Sequence, residues 1–376
     1  MAKISLLKCD DYNRVNSAVK ESVHLLGGIS SFIKPGEKIL IKPNLLAPKE
    51  PSKAVTTHPE AVKAVIQLVK SAGATPIVGD SPGGAVRDIK NLWKVTGMED
   101  ICTREKVELV NFEAAGSKAF DIGDNNVKRV NFSNAVLNCD GIINVPKLKT
   151  HSLMAFTAGI KNLYGCVPGL MKVEYHKLAS KNKDFAHLLA NIYLFLKNKI
   201  RFTIIDGVLA MEGNGPSSGE IRRLNVIAAS ADTALLDAVM LTSLRRDISK
   251  SEIFKKLMIS KKDTDGAEII GNARQDFNFE NFKFPSLRKL DLMPKPLIKI
   301  LGKFLWVHPE INEDVCVKCM MCKKSCPANA IYKIESGYPR VEDKKCISCF
   351  CCHEMCPYKA VDFAKSFLAK IFIKED

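Results

Sequence analysis

The sequence predicts an α/β fold in which helices flank a largely parallel sheet, followed by a small C-terminal α+β domain. Strand-like and helix-like segments alternate up to about residue 280, and such alternation is typical of strands that pair in parallel through helical crossovers. Nine of the thirteen cysteines then fall between Cys316 and Cys356. This clustering indicates a separate domain with its own chemistry.

Short apolar runs predict strands, most of them buried, and Pro43 ends one of them. They are KISLLKC from residue 3, KILIKPN from 38, ATPIVGD from 74, KVELVNF from 106, GIINVPK from 141, RFTIIDGV from 201 and LNVIAAS from 224. Apolar residues that recur every three or four positions predict helices. These segments are VNSAVKESVHLLGG from 15, PEAVKAVIQLVKSAG from 59, DFAHLLANIYLFLKN from 184 and ADTALLDAVMLTSLRRD from 231.

The spacing of the clustered cysteines predicts two [4Fe–4S] clusters. Each half of this region reads C-x2-C-x2-C-x3-C followed by proline, which is the run of bacterial two-cluster ferredoxins. Three closely spaced cysteines bind one cube, and the fourth reaches the other cube. The predicted ligand sets are Cys316, Cys319, Cys322 and Cys356 for one cluster, and Cys346, Cys349, Cys352 and Cys326 for the other.

Zinc is the alternative metal for clustered cysteines. Zinc sites favour two CxxC pairs at longer separations, and a third cysteine followed by a Cys-Pro step fits them poorly. Disulfides are disfavoured because the cytosol keeps thiols reduced. Cys351 occupies a position that the ferredoxin spacing does not use. We predict that it is a small buried residue or a sulfur beside the ligands, and not a ligand.

The cysteine region also repeats outside its cysteines. CPANAIYKI follows the first run and CPYKAVDF follows the second, as a short helix leading into a strand would. Between them, AIYKIESGYPRVED predicts a hairpin with its turn at Ser336 and Gly337. Two such halves form a compact ferredoxin module with pseudo-twofold symmetry.

Polar residues follow several of the predicted strands. In parallel sheets, ligands bind beyond the carboxyl ends of the strands. Glycines there let backbone approach a ligand closely, and they occur at positions 79, 83, 84, 207, 213 and 215. The polar residues include Lys42, Asn44, His58, Asp80, Ser81, Lys147, Lys149, Thr150, His151, Lys161, Asn162, Asp206 and Glu212. Each alone could serve as a cap or a solvated strand end, but together they indicate a site.

Lys147, Lys149 and His151 are predicted to form the centre of that site. They follow the buried run GIINVP, and strand side chains alternate, so all three project to one face if the strand continues. Two ammonium groups without an acid in the segment favour an anion and favour neutral His151. A solvated loop is the alternative. His58, Asp80 and Asp206 complete the predicted catalytic set.

The composition of the chain, and the motifs that it lacks, limit the classes of ligand and partner that we expect. The formal charge is +15, which suits anionic ligands or acidic proteins; the lysines are spread along the chain, so an ordinary basic surface is the alternative. The chain has no nucleic-acid-binding module, P-loop or correctly spaced Rossmann glycine motif. It has no secretory or twin-arginine signal and no apolar run of about 18 residues. A cytoplasmic protein is therefore expected.

The motifs IKPNLL, THPEAV, GDSPGG, VPKLKTH, AGIKNLYG and IIDGVLAMEGNGP occur in this order. In this they resemble the family called domain of unknown function 362, which is often joined to a two-cluster ferredoxin in anaerobic bacteria and archaea. The resemblance covers roughly residues 3–280 and 309–361. It implies an α/β fold and names no substrate, and it gives no role to Cys351 or to residues 283–306.

Four regions are predicted: an α/β domain over 1–282, a proline-punctuated basic and apolar linker over 283–308, a ferredoxin domain over 309–361, and an amphipathic tail over 362–376. The linker and the tail could lie on a membrane surface. We favour packing of both against the two domains, with lysines outward.

Two functions fit these patterns. In the first, the protein is an oxidoreductase that passes electrons through two [4Fe–4S] clusters to or from an anionic organic substrate in the α/β domain, with a redox protein or reduced ferredoxin as partner. The clusters should then face the carboxyl ends of the strands. In the second, it is an electron carrier or maturation factor that docks an acidic protein. We favour the first, because a bare carrier needs only the short C-terminal module.

Overall fold

The computed structural model describes residues 2–83, 86, 88–169, 171–285 and 307–366. Most of the predicted linker, the tail beyond residue 366, and Gly84 lie outside these described residues. The strands are β1 (Lys3–Lys8), β2 (Lys38–Pro43), β3 (Thr75–Asp80), β4 (Glu108–Asn111), β5 (Ser117–Phe120), β6 (Val130–Ser133), β7 (Gly141–Val145), β8 (Lys147–His151), β9 (Ala155–Thr157), β10 (Ile200–Glu212), β11 (Glu220–Ser230), β12 (Glu268–Gly271), β13 (Val307–Ile311), β14 (Ile331–Lys333), β15 (Pro339–Val341) and β16 (Val361–Lys365).

The helices follow the predicted apolar periodicity, and all four long predicted helices are present. The helices are α1 (Val15–Leu25), α2 (Pro59–Ser71), α3 (Ile89–Val95), α4 (Met98–Arg104), α5 (Asn134–Leu137), α6 (Gly159–Asn162), α7 (Met171–Leu178), α8 (Asn182–Leu196), α9 (Thr233–Ser243), α10 (Glu252–Lys256), α11 (Lys261–Asp265), α12 (Met321–Lys324) and α13 (Cys351–Glu354). Among the described residues, we find no helix with the length and apolar character needed to span a bilayer.

One large sheet organises the α/β domain. Its strand order is β12-β1-β11-β10-β7-β2-β3-β4, with β8 beside β10 and β9 beside β8. The pairs β10–β7, β7–β2, β2–β3 and β3–β4 are parallel, whereas β1–β11, β10–β11 and β8–β9 are antiparallel. The prediction of a largely parallel sheet with flanking helices is therefore confirmed.

Apolar cores lie on both faces of the sheet. Side chains on β2 alternate: Ile39 and Ile41 pack with helices α1 and α2 on one face, while Leu40 packs with α8 and α9 on the other. Because both faces are covered, the parallel strands are almost continuously apolar. The chain builds β2, β3 and β4 outward in one direction and then returns to place β7 on the other side of β2. Ligands bind at such reversals in α/β sheets.

The C-terminal module has the predicted internal repeat. β14 and β15 form the expected hairpin, with Gly337 at a φ of 87° in its turn. β13 pairs with β16 and so joins the start of the module to its end. The two halves share unusual backbone conformations: Met320 and Phe350, which precede equivalent helices, have φ values of 61° and 58°.

Candidate functional site

Two cavities in the C-terminal module are lined by the predicted cysteine sets. One, of about 310 Å³, is lined by Cys316, Cys319, Cys322 and Cys356. The other, of about 300 Å³, is lined by Cys326, Cys346, Cys349 and Cys352. We refer to them as the first-half and second-half cluster cavities. Cys351 lines neither cavity and is buried, which agrees with the prediction that it is not a ligand.

The surroundings of these cavities suit iron–sulfur cubes. The Cys326 sulfur accepts a hydrogen bond from the Ala330 N–H, and the Cys356 sulfur accepts one from the Ala360 N–H, both at 3.2 Å. N–H···S bonds of this kind stabilise the negative charge of a cluster. Among the described residues, no three His, Cys, Asp or Glu side chains converge on a point that a single metal ion could occupy.

A cleft of about 680 Å³ lies where the ferredoxin module meets the α/β domain. Lys42 and Asp80, at the carboxyl ends of β2 and β3, form one wall, while Cys351, Glu354 and Met355 of the ferredoxin module form another. A Cβ atom added at Gly83 would lie 2.5 Å from the Met355 sulfur. The absence of a side chain at Gly83, in the motif GDSPGG, therefore permits the ferredoxin module to pack this closely. The module thus lies against the carboxyl-end face of the sheet, as predicted for an enzyme.

Lys42 and Asp80 form a buried ion pair in this wall of the cleft. The Lys42 ammonium lies 2.7 Å from Asp80 Oδ1 and also donates to the Pro43 carbonyl. The Asp80 carboxylate accepts the N–H groups of Leu45 and Ser81 as well. A side chain at position 165 would collide with this pair, which explains the glycine that ends AGIKNLYG. Asp80 is therefore fixed by three donors and positions the loops around the cleft.

Lys161 is the cation that remains for a ligand. It lines the cleft, and the described residues form no hydrogen bond or ion pair with its ammonium. Burial lowers the pKa of Lys161, while nearby Glu354 raises it. Its helix, α6, is held at its start by Asp237, whose carboxylate accepts the N–H groups of Gly159 and Ile160 at 2.8 Å each.

Lys172 forms a second basic group in the cleft. Its ammonium donates to the backbone oxygen and to the hydroxyl of Ser81, each at 2.7 Å. Burial lowers the pKa of Lys172 to about 7, with Asp80 opposing and Lys42 reinforcing the shift. This lysine can therefore exchange a proton at neutral pH.

Two buried polar atoms in the cleft wall have no partner among the described residues. They are Asn44 Oδ1 and His176 Nδ1. The His176 ring is 7% exposed and stacks on Phe185 at a centroid distance of 4.1 Å. Burial lowers its pKa to about 3, so the ring is neutral. Unpartnered buried polar atoms are costly, and a polar ligand in the cleft would satisfy them.

His151 contacts the cleft through Glu354. His151 Nε2 lies 2.9 Å from Glu354 Oε1, although the two atoms are not aligned as in a hydrogen bond. His151 Nδ1 accepts the N–H groups of Leu153 and Met154, so the neutral ring carries its proton on Nε2. Burial lowers the pKa of His151 to about 4, with Glu354 opposing and Lys161 and Lys149 reinforcing the shift. The lysines that the sequence analysis invoked contribute to this shift, but burial is its main cause.

Lys147, Asp206 and His58 lie together, behind the cleft wall and outside its lining. The Lys147 ammonium lies 2.9 Å from Asp206 Oδ2 and 2.7 Å from the Tyr12 hydroxyl, and both charged side chains are fully buried. The Tyr12 hydroxyl donates to Asp206 Oδ1, and the His58 N–H donates to Oδ2. His58 caps α2 and stacks on Tyr12. The segment around Lys147 contains no acid that could neutralise it, but Asp206 of the neighbouring strand β10 does so.

Lys149 is also buried, and its ammonium donates to the Val55 carbonyl at 2.6 Å. Strand β8 thus continues to His151 and places all three predicted residues in the interior. Only His151 reaches the cleft, through Glu354. The solvated-loop alternative is wrong, because β8 pairs with β10 and β9 and all five of its residues are buried.

We expect Lys147→Ala to lower the free energy of unfolding by about 3–5 kcal/mol, because it leaves the Asp206 carboxylate buried and unpaired. Urea unfolding of anaerobically prepared protein measures this. Lys3→Ala is the control, since the Lys3–Glu268 pair is half-exposed and its atoms are 4.0 Å apart, and such pairs contribute about 0–1 kcal/mol. If Lys147→Ala kept full stability and lost only activity, Lys147 would belong to the catalytic group.

Several cleft residues escaped sequence analysis. Lys172 and His176 lie on α7, which carries no motif of its own, and Glu354 looks like a spacer between cysteine ligands. Lys161 and Asn44 appeared only as two of many polar strand-end residues. A usable signal was the density of polar residues in AGIKNLYG, which supplies Lys161, Asn162 and Tyr164 to the cleft.

Comparison with known proteins supports both domains. Residues 39–242, more than half of the chain, match the family described as Domain of unknown function (DUF362), and residues 308–357 match a 4Fe-4S dicluster domain. The second match confirms the predicted [4Fe–4S] binding. A thylakoid-associated protein of Synechocystis sp. is 36% identical over 247 residues, which are 65% of this chain and 75% of that protein.

The solved structures that match this chain share less sequence with it than the thylakoid-associated protein does. The lactate racemase apoprotein from Thermoanaerobacterium thermosaccharolyticum has a TM-score of 0.39 and 13% identity, over 62% of this chain and 55% of the racemase chain. A loganic acid methyltransferase with SAH has a TM-score of 0.24 and 12% identity, over 80% of this chain and 72% of its own.

Proposed function

The chain belongs to the DUF362 family and carries a C-terminal 4Fe-4S dicluster domain, and from this premise we propose that it is an oxidoreductase. It passes electrons through two [4Fe–4S] clusters to or from a small organic anion bound in the cleft between the two domains. Its partner is a redox protein such as reduced ferredoxin. The cytoplasmic location expected from the sequence stays a prediction.

The observation that supports this proposal is the shared wall of the cleft. Helix α13 carries Cys352, which lines the second-half cluster cavity, and in the same turn Cys351 and Glu354, which line the cleft. One turn of helix therefore joins a cluster ligand to the space where a substrate would lie. A carrier that only docks another protein has no use for a buried cleft at this position.

The charges of the cleft favour an anion. Lys42 is neutralised by Asp80, whereas Glu354 contacts the neutral His151 ring and lies near Lys161 without a direct bond to its ammonium. Lys172 adds a further positive charge whenever it is protonated. Lys161 binds the carboxylate or phosphate of the substrate, because its ammonium has free donors. The unpartnered atoms of Asn44 and His176 orient the remaining polar groups of the ligand.

The clusters supply or accept single electrons when they are bound. The residues around the cleft exclude water, bind the anion and deliver a proton. Glu354, Met355 and Cys351 exclude water from the side of the ferredoxin module, which strengthens the attraction between Lys161 and an anion. A two-electron reduction of an organic substrate also takes up protons, and Lys172 delivers one of them from its ammonium.

The direct test mixes reduced holoprotein, free of excess reductant, with a panel of small carboxylates and phosphates under anaerobic conditions. Recovery of the cluster absorbance reports oxidation, and mass spectrometry identifies the reduced product. We expect at least one compound to re-oxidise the clusters with a matching yield of product. If no anion does so, and a protein partner copurifies in stoichiometric amount instead, the docking carrier replaces the oxidoreductase.

The rate of this re-oxidation should depend on the protonation of Lys172. Its pKa is lowered to about 7, so the proton is present below that pH, and the rate should fall about tenfold per pH unit above it. Lys172→Arg keeps a positive charge but cannot release a proton in this range. We expect this variant to be about 100-fold slower and to lack the fall above pH 7. An unchanged pH profile would assign the proton to another group.

A further inference from the structure

The two halves of the ferredoxin module differ in what covers them. In the second half, Cys349, His353 and Glu354 are buried. Their equivalents in the first half are Cys319, Lys323 and Lys324, and all three are exposed. The same loop and helix are thus built twice, once facing the protein interior and once facing solvent.

The α/β domain accounts for the buried half. The Ser217 hydroxyl donates to the Glu354 carbonyl at 2.6 Å, and His353 Nε2 lies 3.4 Å from the Asn214 carbonyl. Both cluster cavities are lined by residues of the ferredoxin module alone, so the halves differ in their outer covering and not in their cavity lining. Of the thirteen cysteines, all of which the structure describes, Cys319 is the exposed one.

The exposed half has the composition of a docking surface for a redox protein. Val317 and Tyr358 line the first-half cluster cavity and are 54% and 48% exposed. Beside them lie the exposed lysines of α12 and the exposed Lys359. We define the donor surface by Val317, Cys319, Lys323, Lys324, Tyr358 and Lys359.

The loop beside the donor surface carries two acids, Glu313 and Asp314, against the three lysines of the surface itself. Glu313 is paired with Arg340, which leaves Asp314 as the exposed acid of the adjacent loop. A small apolar centre with a basic rim fits an acidic partner, since opposite potentials raise the association rate. Electron-transfer contacts are also small and transient, so a surface formed by these six residues is sufficient.

We propose that the donor surface receives electrons from an acidic one-electron carrier protein, which reduces the first-half cluster. The second-half cluster is then the one that faces the cleft, so electrons run through the module in one direction. In each encounter the carrier loses one electron and the protein gains one; no bond is made or broken. Passage from the clusters to a substrate rests on the proposed function, whereas docking and reduction do not.

The test follows the reduction of oxidised holoprotein by a reduced acidic ferredoxin in stopped flow, without substrate. The variant Lys323→Glu/Lys324→Glu reverses two charges of the donor surface. Lys344→Glu/Lys345→Glu also reverses two charges, at an exposed lysine pair beside the second-half ligand Cys346, and breaks the salt bridge between Lys345 and Glu342 as well. Each variant is first shown to retain full iron and sulfide, and reduction by the small reductant dithionite is measured in parallel.

At low ionic strength we expect the first variant to be reduced by ferredoxin at least about tenfold more slowly, and the second within about twofold of the parent. Rising salt should slow the parent and shrink this difference, and dithionite should reduce all three proteins alike. Equal losses in both variants, or a larger loss in the second, would overturn the proposal. Because no substrate is present, failure of the proposed reaction leaves this result unaffected.

Discussion

The variant Cys349→Ser, purified anaerobically, is expected to hold about half of the roughly eight iron and eight sulfide per chain of the parent protein. Cys349 is one of four thiols around the second-half cluster cavity. Removing one of four ligands exposes one iron and weakens the whole cube. Iron and acid-labile sulfide analysis gives the stoichiometry, and electron paramagnetic resonance of the reduced protein should lose the coupling between two clusters.

Cys351→Ser is the matched control, because Cys351 is equally buried and lies two residues away. It lines the cleft and neither cluster cavity, so full iron and sulfide should remain. Loss of a cluster in Cys351→Ser, with retention in Cys349→Ser, would exchange the roles of the two cysteines. Stoichiometric zinc without sulfide, in protein made with sufficient iron, would contradict both assignments.

The grouping of the cysteines around two cavities could be predicted from sequence because their geometry is local. Three ligands of each cavity lie within seven residues, and the fourth comes from the equivalent position of the repeat. The strands of the large sheet could be predicted equally well, since burial on both faces leaves continuous apolar runs such as GIINV. Short elements such as β5, β6 and β9 were missed, because three or four residues carry no clear periodicity.

The cleft could not be predicted in the same way, because its walls come from segments far apart in the chain. Lys147 looked like a free cation until β10 placed Asp206, 59 residues later, within 2.9 Å of it. Glu354 belongs to the ferredoxin repeat by sequence, yet its carboxylate meets His151 of β8. Sequence patterns indicate which polar side chains follow the end of a strand. The packing of strands and domains then determines which of these side chains form an ion pair.

The Lys161 ammonium, which has no hydrogen bond or salt bridge from the described residues, is the most informative target in the cleft. We expect Lys161→Gln to weaken binding of the organic anion that re-oxidises the reduced protein by about 100-fold or more, since losing one partner of a desolvated charge pair costs about 2–5 kcal/mol. The described residues make no hydrogen bond to the Lys161 ammonium, so the variant should keep its fold and both clusters. Concentration dependence of re-oxidation measures the affinity.

Lys177→Gln is the control for this experiment, because Lys177 is exposed on α7 and does not line the cleft. The same loss of charge there should change the affinity less than about twofold. If both variants weaken binding equally, the anion responds to the net charge of the protein and not to a built site. If neither does, the anion binds elsewhere. A selective effect of Lys161 would place the substrate beside Glu354 of α13, one helical turn from a cluster ligand.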